Sequence, residues 1–115
     1  MDVDLVADMR FLPNPFWIPE LKGHTGEEES VRDYVLAQPG AREFIDAYAL
    51  ALRPVLEGYQ RENKRHSVLA IGCTGGKHRS VAIAEELASR LKAAGDDAGS
   101  TRYDVRVMHR DLGRE

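Results

Sequence analysis

The sequence predicts a small α/β domain in which helices pack on a parallel or mixed sheet, and three observations support this prediction. Residues 3–11 alternate between apolar and polar side chains, which is the periodicity of a strand. Residues 67–71 form a short apolar run, typical of a strand buried on both faces of a parallel sheet. Helical patterns lie between these runs, so we predict the order β-α-α-β-α-β with right-handed crossovers. A chain of 115 residues supports one core, and we predict one domain over 1–115.

The segment between the first strand and the first helix is rich in prolines and glycines. We expect no regular element over 12–27, because proline and glycine interrupt helices and strands. Ser30 is then predicted to cap a helix that runs through Leu36. A longer helix is predicted from about 41 to 63, kinked or divided at Pro54.

The second half of the chain predicts one more helix and one more strand. The apolar periodicity of 78–94 indicates a helix, and 95–101 is a polar connection. Residues 103–109 alternate again, which favours a strand near an edge of the sheet.

Composition and charge exclude several classes of protein. One cysteine excludes an internal disulfide framework and suits the reducing cytoplasm. No apolar run reaches the roughly 18 residues of a membrane span. The net charge of −3 means that binding of nucleic acid would need a local basic patch. The histidines lack metal-ligand spacing, so we predict no metal site and no cofactor, and the four are His24, His66, His78 and His109.

A glycine turn, GCTGGKHRSV over 72–81, follows the second predicted strand and opens the last helix. Ligands of open α/β sheets collect at the carboxyl ends of strands, where amides and the helix dipole favour an anion. The spacing is not that of a Walker A loop, so it gives no case for hydrolysis of ATP or GTP. The expected ligand is a phosphate. Its predicted hydrogen-bond donors are Thr74, Gly75, Gly76, Lys77, His78, Arg79 and Ser80.

Two other interpretations of this turn stay open. The glycines are also compatible with simple tight packing of strand on helix. Alternatively, Cys73 and Arg79 have the C-x5-R spacing of cysteine-dependent phosphatases, with Asp8 as the candidate general acid. Gly72 stands where those enzymes usually carry histidine, and a lone cysteine at a strand end is more often a small buried hydrophobe.

Several short motifs are highly specific in combination, and they are Asp8–Pro15, Pro19–Leu21, Thr25–Gly26, Gly72–Ser80 and His109–Leu112. With these motifs the chain resembles the C-terminal domain of the RapZ/YvcJ family over essentially residues 2–115. That family also carries an N-terminal kinase-like domain with Walker motifs, which this sequence lacks, so we expect a piece of a longer protein or a free-standing version.

The resemblance implies a non-catalytic regulatory module, with a fold similar to the sugar-phosphate half of phosphofructokinases. Enterobacterial members sense glucosamine-6-phosphate and bind small RNAs, which they present to an endoribonuclease. Phe16 stands where some of them have histidine, and the tail after His109 is less basic than theirs. Arg10 and Asn14 become candidates for the rest of the ligand. The resemblance places the phosphate contacts at Thr74, Gly75, Gly76, His78 and Arg79.

The expected partner is a phosphorylated small molecule, and the further partners considered are a small RNA, a protein and a second copy of the chain. A basic cluster at the end of the long helix either complements the helix dipole or contacts RNA. The residues considered for RNA are Arg61, Lys64, Arg65 and Arg110.

Overall fold

The computed structural model of the chain describes residues 3–73, 77–94 and 104–109. Two strands and four α-helices form in these residues, and a turn of 3-10 helix, Pro15–Trp17, follows the first strand. In chain order the elements are β1 (Leu5–Asp8), α1 (Pro19–Lys22), α2 (Glu29–Ala37), α3 (Ala41–Arg61), β2 (Leu69–Gly72) and α4 (Arg79–Ala94).

The two strands pair in parallel, which confirms the α/β class. Leu5 lies opposite Leu69 and Asp8 lies opposite Gly72, so both strands end at the same edge of the sheet. Parallel neighbours need a long crossover, and α1, α2 and α3 provide it. α4 then returns from the end of β2 and packs on α2 and α3.

The core lies between one face of the sheet and the three longer helices. Leu5, Ala7, Leu69 and Ile71 alternate along the strands and pack against the buried helical side chains. Val6 points the other way and is 74% exposed. The expectation that β2 is buried on both faces is therefore wrong for the described residues, because the helices cover one face. The side chains at the centre of the core are Met9, Val31, Val35, Ile45, Ile83 and Leu87.

The segment predicted to be irregular contains two short helical elements. Pro15 and Pro19 are the first residues of the 3-10 turn and of α1. Proline fits this position because its fixed φ suits a helix and its missing N–H would have no partner there. The prolines therefore begin helices here, and the expectation of no regular element is wrong.

Ser30 does not cap α2, which begins one residue earlier, with Glu28 as the N-cap residue. The Glu28 carboxylate accepts hydrogen bonds from the Thr25 amide at 3.2 Å and pairs with the His24 ring at 2.6 Å. These contacts fix the turn ahead of the helix, so its start lies ahead of the serine.

α3 is one continuous helix from Ala41 to Arg61 with Pro54 inside it, so the predicted division does not occur. Proline removes one backbone hydrogen bond, but Ile45 and Leu52 are buried on the same helix and hold it against the core. The helix is preceded by Gly40, whose φ is 89°. No helix among the described residues is long and apolar enough to cross a membrane.

The predicted last strand is not formed over 104–109, which are neither helix nor strand. Among the described residues, no backbone hydrogen bond joins this segment to β1 or β2. It is attached instead through His109, whose Nε2 lies 2.6 Å from a carboxylate oxygen of Glu85 on α4. Alternation alone does not make a strand without a neighbour that supplies backbone partners. The predicted connection 95–101 lies outside the described residues.

Gly26 is the point where the loop before α2 meets the start of α4. Its amide donates to the Lys77 carbonyl at 2.8 Å. A Cβ at this position would lie 2.6 Å from the Ala82 nitrogen and 2.8 Å from the Val81 Cβ, and closer still to the His78 carbonyl oxygen. Only glycine allows this approach.

We therefore predict that Gly26→Ala lowers the free energy of unfolding by about 1–3 kcal/mol, because the backbone of loop or helix must move to admit the methyl group. Urea denaturation measures the effect. Gly23→Ala is the matched control, since a Cβ at Gly23 meets no atom within 4 Å. Equal stability of the two variants would contradict the packing described here.

Candidate functional site

The carboxyl ends of β1 and β2 and the start of α4 meet at one edge of the sheet, which we call the strand-end site. The Met9 amide donates to the Gly72 carbonyl at 2.7 Å, so the chain leaves both strands at the same level. Cys73 follows β2, and α4 begins at Arg79. The residues of the predicted glycine turn thus lie beside the residues that follow β1.

Arg79 is buried at this junction, with 5% of its surface exposed. Its Nη1 donates to the carbonyl oxygen of Leu12 at 2.9 Å and to that of Arg10 at 3.4 Å. Its Nε has no partner among the described residues. Arg79 is one of the predicted phosphate donors, and in the structure one of its terminal nitrogens is bound to the backbone of the loop after β1.

The sulfur of Cys73 joins the end of β2 to the first turn of α4. The Ser80 amide donates to the sulfur at 3.3 Å, and the thiol lies 3.2 Å from the Ser80 hydroxyl. The amide of Ser80 is thereby satisfied within the protein. These contacts are those of a small structural side chain.

His78 is also buried, with 5% of its surface exposed, and its Nε2 has no partner among the described residues. Burial lowers the pKa of its imidazole, while nearby backbone groups of Lys22 and His24 act in the opposite direction. The positive charge of Lys77 adds to the lowering. The ring therefore faces α1 and the turn that follows it.

Asp8 and Arg10 form a close pair at the end of β1. The Arg10 Nη2 lies 2.6 Å from the Asp8 Oδ2, and the Arg10 Nε lies 2.8 Å from the same oxygen. The side-chain and backbone hydrogen bonds from Arg10 hold the pKa of Asp8 below its ordinary value. The Asn14 side chain accepts a hydrogen bond from the Phe16 amide at 3.0 Å, so it caps the start of the 3-10 turn.

The fold brings several of the predicted site residues together at this edge of the sheet. Asp8, Arg10 and Arg79 are neighbours, and Cys73 and Ser80 are in contact. Lys77 is half-buried, and its carbonyl binds Gly26. Thr74, Gly75 and Gly76 lie outside the described residues.

The basic cluster considered for RNA lies at the opposite end of the sheet. Lys64 pairs with Asp4 at 3.0 Å, and the Asp4 amide donates to the Val68 carbonyl just before β2 begins. The two ends of a strand of this length are roughly 10 Å apart. Arg61 and Arg65 are exposed there, and Arg65 and Lys64 line a cavity of about 260 Å³. Arg110 lies outside the described residues.

The contacts that support the site from behind could not be predicted from the sequence. These are the burial of His78 against α1 and the contact of Gly26 with α4, and neither produces a periodic pattern. Thr25 and Gly26 stand out in the sequence only as one of the motifs of the family resemblance. The contact of His109 with Glu85 on the second turn of α4 likewise has no signal in the sequence.

One group of side chains among the described residues approaches the spacing of a metal site. Glu27, Glu85 and His109 place one ligand atom each within 4.8 Å of one another. The ion pair between Glu85 and His109 accounts for their separation without a metal. The expected absence of a metal site stays a prediction.

Comparison with known proteins gives consistent matches. The family model described as the RapZ C-terminal domain matches residues 1–113. The chain is 66% identical over 114 residues to a "Nucleotide-binding protein" of Clavibacter michiganensis subsp. michiganensis, covering 99% of this chain and 37% of that protein. It is 61% identical to a protein of the same description from Mycobacterium avium, covering 100% of this chain and 38% of the relative. The chain therefore spans a little over a third of the length of the curated relatives it matches.

The lowered pKa of His78 predicts how stability depends on pH. The unfolded state holds a proton on this imidazole below about pH 6.5, whereas the folded state resists it. The contribution of neutral His78 to the free energy of unfolding is thus fully present above pH 6.5. It is lost as the pH falls toward the lower pKa that His78 has in the folded protein. We predict that the free energy of unfolding of the wild type falls over this window by at most about 1.4 kcal/mol per pH unit for this proton.

His78→Gln is expected to flatten that slope, as measured by urea denaturation between pH 7.5 and 5. His66→Gln, at an exposed position before β2, is the control and is expected to keep the slope of the wild type. A slope that survives in His78→Gln would assign the pH dependence to other groups.

Proposed function

Because the chain belongs to the RapZ C-terminal domain family, we propose that it is a non-catalytic regulatory module that binds a phosphorylated small molecule at the strand-end site. The observation that carries this proposal is the convergence of Arg10 and the buried Arg79 on the edge where β1, β2 and the start of α4 meet. The ligand class is a phosphorylated metabolite such as a sugar phosphate, with glucosamine-6-phosphate as the first compound to test.

The charges of the site support an anionic guest. Arg10 is 66% exposed at its side chain and presents a planar fork that matches phosphate oxygens. Arg79 adds a second positive charge that is sheltered from solvent. The start of α4 contributes the partial positive charge of a helix of 16 residues.

The arrangement assigns different tasks to the two arginines. Arg79 holds the loop after β1 against α4 through Leu12, so it fixes the shape of the site. Arg10 is the arginine proposed to contact the ligand, because its side chain is exposed and is bound only to the exposed carboxylate of Asp8 among the described residues. Lys77 and the amides of the glycine turn are the remaining proposed donors. Their position after β2 agrees with the way that open α/β sheets bind anions.

The phosphatase is the competing hypothesis, and the strand-end site gives it little support. A general acid must hold a proton near neutral pH, yet Arg10 holds the pKa of Asp8 below its ordinary value. The sulfur of Cys73 accepts a hydrogen bond from the Ser80 amide.

We predict that wild type and Cys73→Ser hydrolyse an aryl phosphate at the same background rate. A rate that disappears in Cys73→Ser would restore the phosphatase.

RNA contact stays a prediction, and it would involve a different surface from the strand-end site. Lys64 is already paired with Asp4, and the exposed members of the basic cluster are Arg61 and Arg65. A role in the reducing cytoplasm agrees with the lone cysteine. A protein partner and self-association are likewise left as predictions.

We predict that Arg10→Gln weakens binding of a sugar phosphate about tenfold, because it removes a charged, bidentate partner of the phosphate. Isothermal titration calorimetry against a panel of sugar phosphates and nucleotide sugars measures the affinity and ranks the ligands. Arg106→Gln is the matched control, since Arg106 is also exposed and also pairs with an aspartate two residues earlier. Equal losses in the two variants would contradict the proposed site.

A further inference from the structure

Two of the three guanidinium nitrogens of Arg10, Nε and Nη2, are already bound to a carboxylate of the same chain. Its Nε lies 3.0 and 2.8 Å from the two Asp8 oxygens, and its Nη2 lies 2.6 Å from one of them. The Arg10 amide also donates to Asp8 at 2.9 Å. The carboxylate thus occupies the Nε–Nη2 side of the guanidinium in the way that an oxyanion ligand would.

The position of Asp8 places this carboxylate inside the strand-end site. Asp8 is the last residue of β1 and lies opposite Gly72, the last residue of β2. Besides Arg10, the positive charge of Arg79 also acts on it and contributes to its lowered pKa. Asp8 is therefore the counter-ion of Arg10, and it lies within the field of Arg79.

We propose that Asp8 is a resident anion that an incoming phosphate displaces from the Nε–Nη2 side of Arg10. This inference rests on the proposed function and adds a specificity-determining residue to it. Displacement separates an existing ion pair and brings the phosphate close to the freed carboxylate. The site therefore discriminates against anions that interact weakly with Arg10.

The pair is compatible with this exchange. Asp8 and Arg10 are 49% and 66% exposed at their side chains, and exposed ion pairs of this kind contribute little to stability. Rotation of the Arg10 side chain away from Asp8 leaves the backbone contacts of Arg79 in place, because those are made to carbonyl oxygens.

The direct test is a titration of the chain with inorganic phosphate at pH 7.5, comparing wild type, Asp8→Asn and Asp104→Asn by calorimetry. Asparagine keeps an oxygen that accepts the Arg10 amide but removes the negative charge. Asp8→Asn is expected to bind phosphate about three- to tenfold more tightly, the size expected when a like charge is removed near a partly solvated site. Asp104 pairs with Arg106 at the same spacing, so Asp104→Asn is the matched control and is expected to bind as the wild type does.

Equal or weaker binding of phosphate by Asp8→Asn overturns the inference while leaving the proposed function intact. If no variant binds inorganic phosphate and none binds any compound of the sugar-phosphate panel, the proposed function fails and the inference fails with it.

A measurement on the wild type keeps the proposal testable should Asp8→Asn not fold. The carboxyl carbon resonance of Asp8 is expected to shift along the phosphate binding curve in a carbon-detected NMR titration, while that of Asp104 stays in place. A resonance of Asp8 that is unchanged at saturation shows that the pair is not displaced and overturns the proposal.

Discussion

The buried guanidinium of Arg79 is the contact on which the strand-end site depends. It joins α4 to the loop after β1 through the carbonyl oxygens of Leu12 and Arg10, residues that are 67 and 69 positions away in the chain. Hydrogen bonds from a charged donor to buried carbonyls are among the stronger polar contacts in a protein. The loop that carries Arg10 therefore has a fixed position relative to the start of α4.

The surroundings of this contact divide into a structural layer and a ligand-facing layer. Gly26 and His78 pack the loop before α2 against the start of α4, and Cys73 holds the first turn of that helix through Ser80. The ligand-facing layer is the pair of Asp8 and Arg10, which is exposed and held by contacts between neighbours in the chain. Under the proposed function, a phosphate would reorganise this pair without disturbing the core, because the core contacts do not involve it.

Much of this fold could be predicted from periodicity. The apolar patterns located both strands, α3 and α4 within a few residues, and the position of the glycine turn at a strand end identified the candidate site. What periodicity could not give were contacts between distant residues. Arg79 resembles a solvent-facing donor in the sequence, because its burial depends on a loop near the other end of the chain. The prolines of 12–27 predicted an irregular segment, since the sequence does not show that Pro15 and Pro19 each stand at a first helical position. The alternation of 103–109 predicted a strand, but a strand needs a backbone neighbour, and 104–109 have none among the described residues.

A crystal structure of the chain grown in phosphate tests most directly whether the strand-end site binds an anion. We expect tetrahedral density within hydrogen-bonding distance of the Arg10 guanidinium and of the backbone at the start of α4. Phosphate bound instead at Arg61 and Arg65, at the opposite end of the sheet, with the strand-end site occupied by water alone, would contradict it.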